Sequence, residues 1–147
     1  MGIKSINSIA FHPKTLVLLR LFFGAMLIYA AIDKILFPID FAVAVENYQL
    51  TGATISRWIA IWLPYLELIT GVLLIANIWM NAATLLNICM MAVFLLSVSS
   101  AYARNLDINC GCFGDESSPV TLTKVASNTL LLLFSVLLYI SCKNRNK

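Results

Sequence analysis

Two cysteines separated by a single glycine are the residues of this chain whose spacing most directly indicates chemistry. Cys110 and Cys112 flank Gly111 in the segment Asn-Cys-Gly-Cys-Phe-Gly-Asp, with Gly114 two residues further on. A disulfide between them would close a very small ring, and strain makes such a bond easier to reduce than an ordinary structural disulfide. The glycines would relieve backbone strain and let another chain approach closely. The spacing therefore favours reversible thiol–disulfide exchange.

Two other uses of the same segment remain open. The pair can form a permanent disulfide that stabilises the segment around it. Alternatively, it can bind a metal together with the nearby Asp107 and Asp115. A structural zinc site usually needs four Cys or His ligands, and the single histidine, His12, is predicted on the opposite face of the membrane. We expect His12 to be an interfacial residue rather than a ligand.

Glu67 is the most conspicuous polar residue within the apolar stretches, because it is a carboxylate in an otherwise apolar run. A carboxylate near the middle of a bilayer is costly, so it should face other helices and be either protonated or paired. Arg20 is the predicted partner. Counted from the cytoplasmic side, the two residues lie about 8 Å and about 18 Å deep, a gap that the length of arginine or a bridging water can close. We predict an intramembrane polar pair of Arg20 and Glu67, with either a structural or a proton-handling role.

The remaining cysteines, Cys89 and Cys142, are expected to be packing residues. Free cysteine commonly behaves as a small buried hydrophobe. Cys89 falls near the middle of an apolar stretch, about 20 Å from its outer end at the helical rise per residue, which is too far for a direct bridge to Cys110 or Cys112.

Four apolar stretches must position these residues. Apolar residues make up 61% of the 147-residue chain and charged residues 12%, against about half and about a quarter in soluble domains. Each stretch is long enough to cross a hydrocarbon core of about 30 Å as a helix and too long and unbroken for a barrel strand. We expect an all-α, integral membrane four-helix bundle, a single domain over residues 1–147, with helices at about 15–37, 58–79, 82–103 and 121–141.

A short amphipathic helix is predicted in the first outer connection. Pro38 suits the first turn of a helix, and the residues after it alternate between an apolar and a polar face. The apolar face comprises Ile39, Phe41, Ala42, Val45 and Tyr48, and the polar face Asp40, Glu46 and Asn47.

Basic residues predict the topology. Lys4 and Lys14 precede the first helix, and Lys143, Arg145 and Lys147 follow the fourth. Both termini should therefore be cytoplasmic, and the Cys110–Cys112 segment should face an outer, oxidising compartment. The net charge is only +3, and these residues form no stripe that could follow a nucleic acid backbone, so nucleic acid is excluded as an expected partner.

The chain resembles the DoxX-like superfamily, and specifically its MauE-like branch. The resemblance spans nearly the whole chain and rests on the order of its motifs together with the sequence CGCFG. These motifs comprise Arg20, Gly24, Tyr29 and Lys34, then Pro38, Phe41, Asn47 and Tyr48, then Leu63, Pro64, Glu67 and Gly71, and finally residues 110–114.

The resemblance implies a multi-pass protein of the bacterial inner membrane that takes part in periplasmic thiol and disulfide chemistry. MauE-like members are linked to maturation of the disulfide-rich methylamine dehydrogenase alongside a thioredoxin-like partner, and general DoxX relatives to quinone-linked sulfur oxidation. This chain departs from quinone-coupled disulfide generators because none of its apolar stretches contains a Cys-x-x-Cys pair.

The function expected from these observations is that of a membrane thiol–disulfide oxidoreductase, or a subunit of one. Cys110 and Cys112 would exchange electrons with a periplasmic thioredoxin-like partner through a mixed disulfide. A bound quinone or another subunit would carry the electrons further, in a homo-oligomer or hetero-oligomer. The alternative is a non-enzymatic membrane subunit or scaffold whose CGCFG segment is a structural disulfide or a metal-binding site.

Overall fold

A computed structural model describes residues 13–50, 52–105 and 122–145 of the chain. In these ranges the regular secondary structure consists of helices and contains no strand, which confirms the predicted all-α fold. The helices are α1 (Pro13–Leu36), α2 (Pro38–Asn47), α3 (Ala53–Ala76), α4 (Met80–Ala103) and α5 (Leu122–Arg145).

The four long helices, α1, α3, α4 and α5, are each long and apolar enough to cross a membrane, and they alternate in direction. We call the end of the bundle that carries the α3–α4 turn, Asn77–Trp79, the hairpin end. The opposite end carries α2, and we call it the α2 end. The short helix α2 forms where proline at its first position predicted it, and none of its residues is buried.

The distribution of side chains is that of a protein dissolved in lipid. Large apolar side chains cover the outside of the bundle, among them Leu18 and Leu96, each 69% exposed. Polar side chains lie inside, where the amide of Asn87 on α4 donates a hydrogen bond of 2.8 Å to the Ser135 hydroxyl on α5. Apolar surface gains nothing from facing inward when the solvent is hydrocarbon, and interhelical polar contacts and close packing then hold the helices together.

Helix α1 packs most extensively on α3, and α4 on α5. The α1–α3 contact is closest where two buried glycines meet, Gly24 of α1 and Gly71 of α3. A Cβ atom on Gly24 would lie 2.9 Å from the Gly71 carbonyl oxygen, and one on Gly71 would lie 2.8 Å from the Gly24 carbonyl oxygen. Only hydrogen at both positions permits this approach, so the glycines set the axial register of α1 against α3.

Both ends of α3 differ from the sequence prediction. Helix α3 begins at Ala53, five residues before the predicted Trp58. The prediction followed the apolar run and therefore left out the preceding Ala-Thr-Ile-Ser-Arg, although these residues are compatible with a helix. The helix ends at Ala76, because Asn77 adopts a left-handed conformation with a φ of 60° and Ile78 donates its N–H to the Leu73 carbonyl oxygen.

The glycine contact predicts the effect of one added methyl group. We expect Gly71→Ala to lower the free energy of unfolding by about 1–3 kcal/mol, because the new Cβ meets backbone that cannot rotate away. Gly52→Ala is the matched control, since a Cβ there has no atom within 4 Å. The measurement is thermal unfolding of the purified protein in detergent. Equal unfolding temperatures for the two variants would show that the glycines do not set the contact.

Candidate functional site

A buried ion pair joins α1 to α3 in the half of the bundle that carries α2. The Lys34 ammonium donates hydrogen bonds to both carboxylate oxygens of Glu67, at 2.6 Å to Oε1 and 2.7 Å to Oε2. Only 7% of the Lys34 side chain and 10% of the Glu67 side chain are exposed. Both residues fall within apolar spans, so each neutralises a charge that lipid would disfavour.

The pair corrects the predicted partner of Glu67, which is Lys34 rather than Arg20. With Gly24 level with Gly71, Arg20 lies four residues towards the hairpin end and Glu67 four residues towards the α2 end. The two are therefore about 12 Å apart along the bundle axis at a rise of about 1.5 Å per residue. The depths expected from the sequence differ by a similar amount, about 10 Å at the same rise per residue. They left out the direction in which the two side chains tilt.

The direction of the side chains explains why Lys34 can reach Glu67. Lys34 lies about 9 Å from Glu67 along the axis, counted from the same two glycines at about 1.5 Å per residue. Helical side chains tilt towards the N-terminus of their own helix. In the antiparallel pair α1 and α3, the Lys34 and Glu67 side chains consequently tilt towards each other, whereas the Arg20 side chain tilts away from Glu67. Lys34 was not predicted as the partner of Glu67, although residue 34 lies within the predicted first helix and α1 continues to Leu36.

Helix α2 covers the ion pair. The Lys34 Nζ atom lies 5.0 Å from the centroid of the half-buried Phe41 ring, a cation–π contact. The ammonium thus faces a carboxylate on α3 and an aromatic ring on α2. One cation on α1 therefore links three helices.

A second polar contact fixes the end of α2 to the end of α4. Arg104, which follows the last residue of α4, donates from Nη1 to the Tyr48 carbonyl oxygen at 3.1 Å and from Nη2 to Gln49 Oε1 at 3.1 Å. The Tyr48 side chain is buried against Val98 and Ala101 of α4. Burial raises the pKa of the Tyr48 hydroxyl to about 12.

The cysteine pair proposed to carry chemistry, Cys110 and Cys112, lies outside the described residues, as does His12. Cys142 packs against the main apolar cluster as predicted. Cys89 is exposed on α4, so its predicted packing role is wrong: two residues after the buried Asn87, it lies on the opposite side of the helix. Among residues 13–50, 52–105 and 122–145, no three His, Cys, Asp or Glu side chains gather into a group that could hold a metal ion.

Comparison with known families supports the resemblance found in the sequence. A model of the family described as methylamine utilisation protein MauE matches residues 12–141. The chain belongs to the MauE family. Searches of the curated proteins and of the solved structures found no match. As a MauE family member with four apolar helices, the chain is a multi-pass membrane protein.

In this MauE family member, the buried ion pair predicts that Lys34 and Glu67 are strongly coupled in their effect on the free energy of unfolding. We expect Lys34→Met and Glu67→Leu each to lower the free energy of unfolding by about 3–5 kcal/mol, because each leaves one charge buried without its partner. The double variant should recover much of that loss, since it buries no charge. Chemical unfolding in detergent measures all three.

A parallel cycle with Arg20→Met and Glu67→Leu is the control for this prediction. Its effects should add, because the two side chains are too far apart to interact directly. Coupling between positions 20 and 67, together with none between 34 and 67, would contradict the pairing described above.

Proposed function

We propose that the protein is a membrane thiol–disulfide oxidoreductase, or a subunit of one, whose reacting groups are Cys110 and Cys112. The observation that carries the proposal is the place where the cysteine-bearing connection leaves and re-enters the bundle. Its two flanking spans end at Ala103 and begin at Leu122, both at the α2 end, and Arg104 holds its first residues to Tyr48 and Gln49. A rigid bundle end would then present a reactive pair to a partner outside the membrane.

Disulfide exchange at this pair needs no further reagent. A partner thiolate attacks one sulfur of an oxidised Cys110–Cys112 pair, the S–S bond breaks, and the other loop cysteine leaves as a thiolate. The second partner thiol then attacks the mixed disulfide, so the partner departs oxidised. The loop pair has gained two electrons and two protons. The reverse sequence, with a reduced loop cysteine attacking a partner disulfide, reduces the partner.

A periplasmic thioredoxin-like protein is the proposed partner, because a protein of that class carries a paired dithiol suited to both steps. A membrane quinone is the proposed further carrier, since its reduction to quinol takes up the same two electrons and two protons. The order of the motifs also supports placing the MauE family within the broader DoxX-like superfamily.

Charge distribution supports a bacterial inner-membrane orientation with both termini in the cytoplasm. In the described ranges, the hairpin end carries Lys14, Arg20, Lys143 and Arg145 and no acidic residue. The α2 end carries four basic and four acidic residues and is neutral overall, the basic ones being Lys34, Arg57, Arg104 and Lys124 and the acidic ones Asp33, Asp40, Glu46 and Glu67. Excess positive charge marks the cytoplasmic side of a membrane protein.

Serine substitution tests the exchange reaction. We expect Cys110→Ser and Cys112→Ser each to abolish partner turnover while the bundle still unfolds at the temperature of the unchanged protein. One of the two variants should accumulate a mixed disulfide with the oxidised partner. Its remaining loop thiolate attacks the partner disulfide, and the second loop thiol that would resolve the adduct is missing. Non-reducing electrophoresis of cell membranes detects the adduct, with Cys89→Ser as the matched control on α4.

A scaffold or a structural staple gives a different result for these variants. A staple predicts lower stability of both serine variants and no trapped partner, and a metal site predicts stoichiometric metal in the purified protein that both variants lose. Full activity of both serine variants in complementation would refute exchange at this pair.

Thiol labelling tests the orientation. In a variant carrying Cys89→Ser and Cys142→Ser, a membrane-impermeant maleimide should label reduced Cys110 or Cys112 in intact spheroplasts. A second variant that keeps only Cys142, which lies near the hairpin end, should require permeabilised membranes for labelling. The opposite pattern would place the cysteine connection in the cytoplasm.

A further inference from the structure

An open cleft lies at the hairpin end of the bundle, away from the ion pair and from the α2 end. It is lined by Val17 and Arg20 of α1, by Asn77 and Trp79 of the turn, by the first turn of α4, and by Cys142 of α5. Nothing in the function proposed above uses this cleft.

Arg20 brings a positive charge to the cleft that the described part of the chain does not neutralise. Its Nε atom is buried and has no hydrogen-bond partner in the ranges that the structure describes. The four acidic residues of those ranges, Asp33, Asp40, Glu46 and Glu67, all lie towards the α2 end. The Arg20 guanidinium lies within an apolar span and lines the cleft without an acidic partner in those ranges, so the arrangement calls for an anion from outside these helices.

The start of α4 adds further donors to the same cleft. The first backbone N–H groups of a helix have no partner within it and carry the positive end of the helix dipole. Trp79 occupies the N-cap position of α4 and makes no side-chain hydrogen bond to this turn. Met80, Asn81 and Ala82 of this first turn all line the cleft with Arg20. A guanidinium beside an open helix N-terminus matches the oxygens of a phosphate group.

The surroundings indicate that such a phosphate belongs to a lipid. Arg20 lies inside the apolar span of α1, next to Val17, Leu18 and Leu21, whose side chains are exposed where acyl chains would contact them. Trp79 is 78% exposed at the end of the hairpin, a position where indole rings favour the headgroup layer. The exposed Lys143 at the same end attracts anionic headgroups.

We propose that this cleft binds the headgroup phosphate of an anionic phospholipid, which Arg20 and the first turn of α4 hold while Trp79 lies beside the glycerol region. The bound lipid would supply the counter-ion that the described helices lack at this end. The site is independent of Cys110 and Cys112, so it can hold whether or not the redox proposal does.

Lipid binding to the purified full-length protein, measured by native mass spectrometry, tests the site. The probes are phosphatidylglycerol, phosphatidylcholine and inorganic phosphate. We expect the unchanged protein to prefer phosphatidylglycerol over phosphatidylcholine. Arg20→Gln should weaken phosphatidylglycerol binding roughly tenfold, the loss expected for one charge-assisted contact. Lys14→Gln is the matched control, since it removes the same charge from the same end but lies outside the cleft.

A second variant keeps the test decisive if Arg20→Gln fails to fold. Ala82→Phe places a large side chain in the cleft from an exposed position on α4 and should abolish the preference as well. Equal losses in the Lys14→Gln and cleft variants would overturn the site in favour of general charge attraction. Inorganic phosphate that binds at least as tightly as phosphatidylglycerol and displaces it would overturn the assignment of the site to a lipid.

Discussion

Glu67 remains compatible with an apolar span because a cation from a neighbouring helix reaches both of its carboxylate oxygens. That contact depends on the approach of two backbones at Gly24 and Gly71, which fixes how far α3 slides along α1. A shift of α3 by one turn would move Glu67 by about 5.4 Å relative to Lys34 and separate the charges. The ion pair and the glycine contact therefore specify the same register, one through electrostatics and the other through shape.

From this register, the order of the α2 end follows step by step. Lys34 draws Phe41 of α2 over the pair, the end of α2 then buries Tyr48 against α4, and the turn after it accepts hydrogen bonds from Arg104. The first residue beyond α4 is thus connected to the ion pair through α2. If the connection after Arg104 performs disulfide exchange, the buried pair acts on it by positioning, because it holds the base from which that connection starts.

The parts of this fold that the sequence predicts are those governed by one-dimensional patterns. Apolar length predicts the spans, and Pro38 with its alternating neighbours predicts α2. The partner of Glu67 required more, since it depends on which residues of two helices lie level and on the direction in which side chains tilt. Gly24 and Gly71 contain that information, but only after α1 and α3 are known to pack together. The role of Cys110 and Cys112 stays a prediction from their spacing.

The two ends of the bundle differ in how charges within the membrane are neutralised. At the α2 end, acidic and basic residues are equal in number, and the most deeply buried of them, Glu67 and Lys34, neutralise each other within the protein. Near the hairpin end, Arg20 has no acidic residue of the described helices on its side, and its buried Nε has no acceptor among them. An internal pair fixes helices relative to one another and is insensitive to the surrounding lipid. An unneutralised cation instead makes the protein depend on the anions around it. If both proposals hold, the α2 end offers a fixed geometry to a partner protein, and the hairpin end is the part of the bundle that responds to membrane composition.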